Sequence, residues 1–112
     1  MSDDCIFCKI AKKKIPSKIR DEDDKIIAFD DISPKAPIHI LIIPKAHINS
    51  VSAMEDSEVH IVAKLANAAR KIAKDNKIDS FRLVFNSGAD AGMEVDHLHL
   101  HLLGGDKLGP MA

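Results

Sequence analysis

Short apolar segments recur along this chain, and at residues 97–103 polar and apolar positions alternate with a period of two, a pattern that is typical of β-strands. Several of these segments are rich in isoleucine, and polar turns or prolines such as Pro34 and Pro37 separate them. Five strands are therefore predicted, at residues 19–22, 25–30, 38–44, 81–85 and 97–103.

The period changes to three and four between Met54 and Asn76, which predicts one long amphipathic helix. Ser52 and Glu55 have the spacing of a capping box at its start, and Asn76 is expected to end it in a left-handed conformation. The apolar stripe of this helix consists of Val62, Leu65, Ala66, Ala69, Ile72 and Ala73.

A short helix or turn is predicted at residues 5–13, before Pro16. The strands cluster before and after the long helix instead of alternating with helices. This order favours an α+β fold with a mostly antiparallel five-stranded sheet. No repeat, linker or low-complexity segment divides the chain, so residues 1–112 are expected to form one domain.

Among the 112 residues, 16 basic and 17 acidic side chains leave a formal net charge of −1. This balance argues against nucleic acid or an anionic membrane as the main partner. Neither a signal peptide nor a membrane span is expected, because the chain has no sufficiently long apolar run. The expected compartment is the cytoplasm, where a Cys-x-x-Cys pair is more often a metal or redox site than a disulfide.

The segment HLHLHLLGG at residues 97–105 carries three histidines at every second position. In a strand, this spacing directs His97, His99 and His101 to one face and the leucines between them to the other. Three imidazoles can hold a catalytic zinc ion, or one can act as nucleophile or general base while its neighbours orient it or bind an anion. The pattern alone does not choose between these two chemistries, although imidazole suits phosphoryl transfer near pH 7.

Cys5 and Cys8 have the spacing of one half of a zinc site, for which histidines are the best candidates as further ligands. Two buried thiols that merely pack are the simpler interpretation. The loop NSGADAG at residues 86–92 would let backbone N–H groups approach an anion, although ordinary surface loops have a similar composition. His39 becomes a candidate for the same site only if its strand adjoins residues 97–103.

Residues 97–103 match the His-φ-His-φ-His-φ-φ signature, and the chain thereby resembles the histidine triad (HIT) family. The blocks FDDISPKAPIHILIIPKAHI at residues 29–48 and FRLVFNSGADAG at residues 81–92 resemble its Hint-like branch, the purine nucleoside phosphoramidate hydrolases. His101 separates the chain from the galactose-1-phosphate uridylyltransferase branch, which typically has glutamine there. The resemblance implies the HIT fold and hydrolysis of the P–N bond of purine nucleoside 5′-phosphoramidates.

The same resemblance implies a role for each histidine of the site. His99 matches the nucleophile that attacks the α-phosphorus and becomes a nucleotidyl-histidine. His101 matches the histidine that contacts the phosphate and helps to transfer a proton to the leaving amine, and His39 matches a supporting histidine. No cofactor is implied for the chemical step. The implied nucleotide contacts are Ile15, Phe29 and Ile32 for the purine, Asp31 for the ribose hydroxyls, and Asn86 and Gly92 on the phosphate side.

Some HIT proteins bind a structural zinc ion through a CxxC pair, a central histidine and the first triad histidine. The corresponding positions here are Cys5, Cys8, His47 and His97. The resemblance thus implies one tetrahedral zinc that holds the N-terminal segment to the sheet, with His97 a metal ligand first. It also implies a homodimer, because the family pairs two sheets across an interface built from the long helix and a strand.

The sequence departs from the family pattern just before the triad. Asp96 stands where tyrosine is frequent, and Glu94 stands where some relatives have a serine near the leaving group. Acidic groups in contact with the histidines would raise their pKa values. Two other functions stay open: a zinc metallohydrolase with the triad histidines as ligands, and a purine-nucleotide-binding regulatory module without catalysis.

Overall fold

The computed structural model describes residues 4–111, which form one antiparallel sheet with a helix on either face. The two helices are α1 and α2, and short 3₁₀ turns lie at Asp56–Glu58 and Ala89–Ala91. In chain order the elements are α1 (Ile6–Ala11), β1 (Ile19–Glu22), β2 (Ile26–Asp30), β3 (Ile38–Pro44), α2 (His60–Asp75), β4 (Phe81–Phe85) and β5 (Leu100–Gly104).

The strands are arranged in the order β1-β2-β3-β5-β4, and every neighbouring pair is antiparallel. The last strand therefore lies between β3 and β4, with His101 opposite Leu41 on one side and Val84 on the other. This arrangement confirms the predicted α+β class and its five strands. It also makes His39 a candidate for the same site as the triad histidines, because its strand β3 adjoins β5.

The two faces of the sheet are covered by separate hydrophobic cores. The core on the face covered by α2, which we call the helix-side core, joins residues such as Ala28, Ile42 and Leu100 to the apolar stripe of α2. The histidine-side core joins Ile27 and Leu41 to residues of α1. Because both faces of β2 and β3 are buried, these strands are apolar almost throughout instead of alternating with polar residues.

The alternation predicted for the triad segment is present. Leu98, Leu100 and Leu102 pack in the helix-side core, whereas the histidines lie on the opposite face. The ladder of β5, however, begins only at Leu100, so the predicted strand 97–103 starts too early. In the register of β3 and β5, Leu98 would lie opposite Pro44, which has no N–H to donate. The N–H of Leu98 bonds instead to the carbonyl of Ile48.

The long helix is shorter than the predicted 54–76 and is capped differently. The side chain of Glu58 accepts from the N–H of Glu55, 2.9 Å away, so the box begins three residues after Ser52 and caps the Asp56–Glu58 turn. The N-cap of α2 itself is Val59, which makes no side-chain cap bond. Asn76 has φ −97° and is not left-handed, and the left-handed residue is its neighbour Lys77 with φ +57°. Asn76 still ends α2, because its side-chain amide donates to the carbonyl of Ile72 at 2.7 Å.

Among residues 4–111, neither helix has both the length and the apolar content that crossing a membrane requires.

Candidate active site and metal centre

Two cysteines and two histidines converge where β3 ends and β5 begins. Cys8 Sγ lies 3.1 Å from His47 Nδ1 and 3.5 Å from His97 Nδ1, and Cys5 Sγ lies 3.4 Å from His97 Nδ1. The four ligand atoms all lie within 4.8 Å of one another. A tetrahedron with zinc–ligand bonds of about 2.0–2.3 Å has edges of roughly 3.3–3.8 Å, so only small shifts are needed to enclose an ion. We call this group the cysteine cluster.

Three separate segments supply the cysteine cluster. Cys5 caps α1 with its thiol, which accepts from the N–H of Cys8 at 3.4 Å, so the two cysteines share the first helical turn. His47 follows β3, and His97 precedes β5. Because these two strands are antiparallel neighbours, the end of the first lies beside the start of the second.

Hydrogen bonds to the far side of each ring fix the tautomers of the two histidines in the cysteine cluster. His97 Nε2 lies 2.9 Å from the carbonyl oxygen of Pro44, and His47 Nε2 lies 2.7 Å from Asn49 Oδ1. A carbonyl oxygen only accepts, so in each neutral ring the proton is on Nε2. Both Nδ1 lone pairs are thus left facing the thiols, which is the arrangement that ligating histidines show in zinc sites.

Burial controls protonation in the cysteine cluster. Desolvation raises the pKa of the Cys8 thiol to about 11, with a further contribution from the nearby Cys5. Desolvation also lowers the pKa of His97 to about 4, although its bond to Pro44 acts in the opposite direction. Buried thiolates are thus unstable without a positive charge beside them, and a divalent cation supplies that charge. The donor set, the distances and the tautomers all fit zinc.

A second group of ligand-type side chains, which we call the phosphate-side cluster, consists of Asp31, His39 and His101. His39 Nε2 lies 2.8 Å from His101 Nδ1 and 3.4 Å from Asp31 Oδ2. The backbone N–H of Lys35 donates to His39 Nδ1 at 3.0 Å. In the neutral ring His39 therefore carries its proton on Nε2 and donates it toward His101.

The phosphate-side cluster is arranged for hydrogen bonding and not for holding a metal ion. His39 can offer Nε2 to an ion only if its proton moves to Nδ1, where it would face the N–H of Lys35. Because His101 Nδ1 accepts from His39, the proton of its neutral ring is on Nε2. That atom is buried and has no hydrogen-bond partner within residues 4–111. A donor left unpaired in this way is a position for a ligand oxygen or nitrogen.

His99 lies between the two clusters, with its ring buried on the histidine side of the sheet. Its Nδ1 donates to the backbone carbonyl of His97 at 2.7 Å, which leaves the Nε2 lone pair free. The ring centroid lies 4.9 Å from that of His101 and 5.1 Å from that of Phe7. His99 is therefore held in the tautomer that a nucleophilic histidine requires.

The histidines of the phosphate-side cluster are predominantly neutral near pH 7. Desolvation is the main cause that lowers the pKa of His101, to about 4, and the adjacent His99 and His39 lower it further. Desolvation likewise lowers the pKa of His39, and the Asp31 carboxylate opposes this. Asp96 and Glu94 are both exposed and are not among the causes of the pKa shifts of His97 and His101, so the contact that would let them raise these pKa values is not made.

A single ion held by all three triad histidines is contradicted by the same geometry. His97 directs Nδ1 to the cysteines and Nε2 to Pro44, so neither nitrogen is available to an ion shared with His99 and His101. His97 lies in the cysteine cluster, as the family resemblance implies, whereas His101 lies beside His39 and His99 lies between the two clusters.

The predicted purine and ribose residues lie in two neighbouring places. Ile15 packs against the histidine-side core that contains Phe29, whereas Ile32 is 92% exposed and contacts neither. Asp31 directs one carboxylate oxygen toward His39 and accepts with the other from the N–H of Ser33 at 2.8 Å. The phosphate side and the ribose side of the predicted site therefore meet at Asp31.

The two residues predicted for the phosphate side are brought together. A Cβ built on Gly92 would lie 3.9 Å from Asn86 Nδ2. Gly92 has φ +97°, a conformation that L side chains rarely adopt, at the end of the Ala89–Ala91 turn. The glycine is thus needed for the backbone path of this loop.

Three residues that shape the site were missed by the sequence reasoning. Pro44 and Asn49 accept the protons that set the tautomers of His97 and His47. Phe7, between the cysteines, packs edge-on against His97 and His99. The place of Phe7 inside the CxxC segment was an available signal, whereas nothing local in the sequence marks the other two.

The fold and site together define the class of protein: the chain belongs to the histidine triad family. A family model described as "Scavenger mRNA decapping enzyme C-term binding" matches residues 4–111. A solved histidine triad protein from Clostridium difficile is 46% identical, with a TM-score of 0.96 over 100% of this chain and 99% of that one.

More particular relatives share the whole fold. The purine nucleoside phosphoramidase of Escherichia coli (strain K12) is 44% identical, over 99% of this chain and 95% of its own length. A HIT family hydrolase from Legionella pneumophila Philadelphia 1 is 44% identical, with a TM-score of 0.91 over 95% of this chain and 96% of that one. Family membership and fold are thereby confirmed.

Proposed function

We propose that this protein hydrolyses the P–N bond of purine nucleoside 5′-phosphoramidates through a nucleotidyl intermediate on His99. One observation carries the proposal: the hydrogen bond from His99 Nδ1 to the His97 carbonyl leaves Nε2 unprotonated beside the unpaired Nε2–H of His101. A nucleophile and a hydrogen-bond donor thus lie on two rings whose centroids are 4.9 Å apart. The similarity to a purine nucleoside phosphoramidase supports the choice of substrate class.

In the first step, the lone pair of His99 Nε2 forms a bond to the α-phosphorus while the scissile P–N bond breaks. The electron pair of that bond leaves with the amine nitrogen, which takes up one proton. His101 Nε2 is the group that we propose for this transfer, because it has no other partner within residues 4–111. The donor is the imidazolium form of His101, which the negative charge of the bound phosphoramidate favours, so the transfer leaves a neutral ring. The bond from His99 Nδ1 to the His97 carbonyl stabilises the positive charge that develops on the ring.

In the second step, water attacks the phosphorus, the bond from phosphorus to His99 breaks, and its electron pair returns to Nε2. The attacking water gives up one proton, which His101 accepts, so the histidine regains what it lost. A covalent intermediate divides one difficult displacement into two easier ones. His39 acts through His101, since its Nε2–H donates to the other nitrogen of that ring.

The nucleotide is proposed to bind along the edge of the histidine-side core. Ile15, which packs against the core that contains the buried Phe29, would offer apolar surface for one face of the purine, and the exposed Ile32 on the loop after β2 would cover the other. The Asp31 carboxylate would accept hydrogen bonds from the ribose hydroxyls. Asn86 and the backbone near Gly92 would donate to phosphate oxygens.

Zinc is the metal that we propose for the cysteine cluster, with Cys5, Cys8, His47 and His97 as its ligands. When bound, it supplies structural cross-linking and no reaction chemistry, because four protein ligands leave no open position. The residues of this cluster fix α1 against the ends of β3 and β5. His97 thereby serves catalysis only through its carbonyl, which orients His99.

The test is a comparison of His99→Ala with the intact protein on adenosine 5′-monophosphoramidate. The intact protein should release amine and show a nucleotidyl adduct by intact-mass analysis of quenched reactions, and His99→Ala should do neither. His60→Ala is the matched control, because His60 is an exposed histidine on α2. Purine monophosphate binding without any cleavage by the intact protein would instead identify a regulatory nucleotide-binding module.

We further propose a cytoplasmic homodimer whose domain spans residues 1–112. Phe81 and Leu83 on the edge strand β4 are each 39% exposed, which leaves apolar surface available to a second copy. A reducing compartment suits the free thiols of the cysteine cluster. Light scattering should give the mass of two chains, and the mass of one chain would contradict the dimer.

A further inference from the structure

Phe7 is the residue that contacts both the cysteine cluster and the proposed nucleophile. It lies on α1 between Cys5 and Cys8 and is only 7% exposed. Its ring meets the ring of His99 edge-on, with centroids 5.1 Å apart and planes at 77°. It meets His97 in the same way at 5.9 Å and 79°.

The hydrogen bond of His99 does not by itself hold the ring in place. The bond to the His97 carbonyl fixes the position of Nδ1, but the ring can still tilt about that contact. Phe7 packs edge-on against this ring with centroids 5.1 Å apart, and a buried neighbour at that distance restricts such a tilt. The nucleophile is therefore held by one polar contact, by the aromatic contact with Phe7 and by the neighbouring ring of His101.

The contact between Phe7 and His99 depends on a short helix, α1. α1 has 6 residues, fewer than an isolated helix needs to be stable in water. It is held by the burial of Phe7 and Ile10 and by the contacts of Cys5 and Cys8 with the two histidines. The position of the aromatic ring against His99 is thus set by the turn that contains both cysteines.

We propose that Phe7 is a positioning residue that sets the angle of attack of His99. It acts on the formation of the nucleotidyl intermediate more than on nucleotide affinity. This inference rests on the proposed function, since it assigns a residue to the chemical step of that reaction. Phe29, whose ring lies 5.6 Å from that of Phe7, faces the proposed purine site and serves as the contrast.

The test uses Phe7→Leu, which keeps an apolar side chain on α1 and removes the aromatic edge. At saturating phosphoramidate, the rate of adduct formation on His99 should fall by about tenfold or more, because small misplacements of a reacting group cost up to about a hundredfold. The dissociation constant for adenosine 5′-monophosphate, measured by calorimetry, should stay close to that of the intact protein. Phe29→Leu should do the reverse, weakening binding with little change in the saturated rate.

A second measurement does not use activity. In ¹⁵N-labelled protein, the ring nitrogens of His99 should show the Nδ1-protonated tautomer in the intact protein and a mixture of tautomers in Phe7→Leu. Ile10→Val is the matched control, because Ile10 is on the same helix and equally buried at 7%. It should preserve both the adduct rate and the tautomer.

The outcomes are distinguishable. An intact protein that forms no adduct would overturn the proposed function, and this inference with it. An intact protein that forms the adduct, together with a Phe7→Leu variant that forms it equally fast, would overturn the positioning role alone. A Phe7→Leu variant that loses only nucleotide affinity would instead make Phe7 part of the purine site.

Discussion

The cysteine cluster and the phosphate-side cluster look alike when only distances are considered. Each brings ligand-type atoms from different segments within 4.8 Å of one another, and each includes one triad histidine. They differ in the hydrogen-bond partner of the ring nitrogen that faces away from the cluster. Carbonyl oxygens accept from the far nitrogens of His97 and His47, whereas a backbone N–H donates to the far nitrogen of His39.

This difference assigns opposite chemistry to the two clusters. An acceptor behind the ring leaves a lone pair facing the cluster, and lone pairs bind a cation. A donor behind the ring leaves an N–H facing the cluster, and N–H groups bind an anion. Two histidines only four positions apart, His97 and His101, are therefore the ones that we propose for a metal site and a phosphate site, respectively. Each prediction below tests one part of this contrast.

The largest effect is expected from removing a ligand of the cysteine cluster. We expect elemental analysis to find stoichiometric zinc in the intact protein and to find it lost in Cys8→Ser, because structural zinc sites contribute on the order of 10 kcal/mol of binding free energy. The melting temperature should fall as well, since α1 is then held only by its apolar contacts.

Chelator treatment of the intact protein is the control for Cys8→Ser. It should give the same lowered melting temperature and should not lower that of Cys8→Ser further. An equal zinc content in the variant and the intact protein would show that the metal is bound elsewhere.

The next effect is expected in the phosphate-side cluster. His101→Ala should lower kcat by roughly 10²–10⁴-fold, because it removes the group that we propose for proton transfer. Its zinc content should be unchanged, since His101 contacts no member of the cysteine cluster. Steady-state kinetics and elemental analysis on one preparation check both statements. A His101→Ala protein that loses zinc would disprove the separation of the clusters.

Much of the fold could be predicted from local patterns. The bounds of β3 and β4 agree with the predicted 38–44 and 81–85, because compact isoleucine-rich and aromatic runs end there at a proline and at a polar loop. The face of the triad histidines was also predictable, since side chains in an extended segment alternate. The beginning of β5 was not, because it depends on Pro44, far away in the sequence, in the neighbouring strand.

The site was less predictable from the residues alone. Spacing identified Cys5 and Cys8 as half a metal site, but the choice of His47 and His97 came from the family resemblance. In this cluster Cys8 meets His47, 39 positions further along the chain, and Cys5 meets His97, 92 positions further along. No local pattern encodes which loops converge. The tautomers depend on a carbonyl and an amide that become partners only after folding. The catalytic and nucleotide-binding roles remain predictions.

A smaller effect is expected from pH on metal-free protein. The folded-state pKa values of His97 and His101 are both lowered to about 4, mainly by burial, below the ordinary value of 6.5. The unfolded chain therefore binds more protons between pH 6.5 and 4, so acid favours unfolding. Each histidine should reduce the free energy of unfolding by about 3 kcal/mol across that interval.

Urea unfolding of chelator-treated protein at several pH values measures this slope. Stability should change little through these groups above pH 6.5 and should fall from there toward pH 4. In His101→Phe the fall should be about 3 kcal/mol smaller, because one of the two buried imidazoles is gone. Stability that is unchanged from pH 6.5 to pH 4 would contradict the lowered pKa values.

The smallest effect tests the tautomer argument itself, at a residue outside the metal's own ligand set. Asn49→Ala removes the hydrogen-bond acceptor of His47 Nε2, so the proton is no longer held on that atom. In part of the molecules the proton is then on Nδ1, whose lone pair is no longer available to a metal ion. Loss of such a partner lowers metal affinity by about 10–100-fold. Asn49 is exposed and water can partly replace it, so a loss of about tenfold is expected, measured by competition with a chromophoric chelator.

Two variants make the result specific to the hydrogen bond. Asn49→Asp keeps an acceptor at the same position and should preserve the affinity, because a carboxylate accepts from His47 at least as well as an amide oxygen. Asn67→Ala removes an exposed asparagine on α2, whose partner is Arg70, and should change nothing. If Asn49→Ala binds zinc as tightly as the intact protein, the group behind the ring does not decide which cluster takes the metal. The contrast between the two clusters would then need another cause.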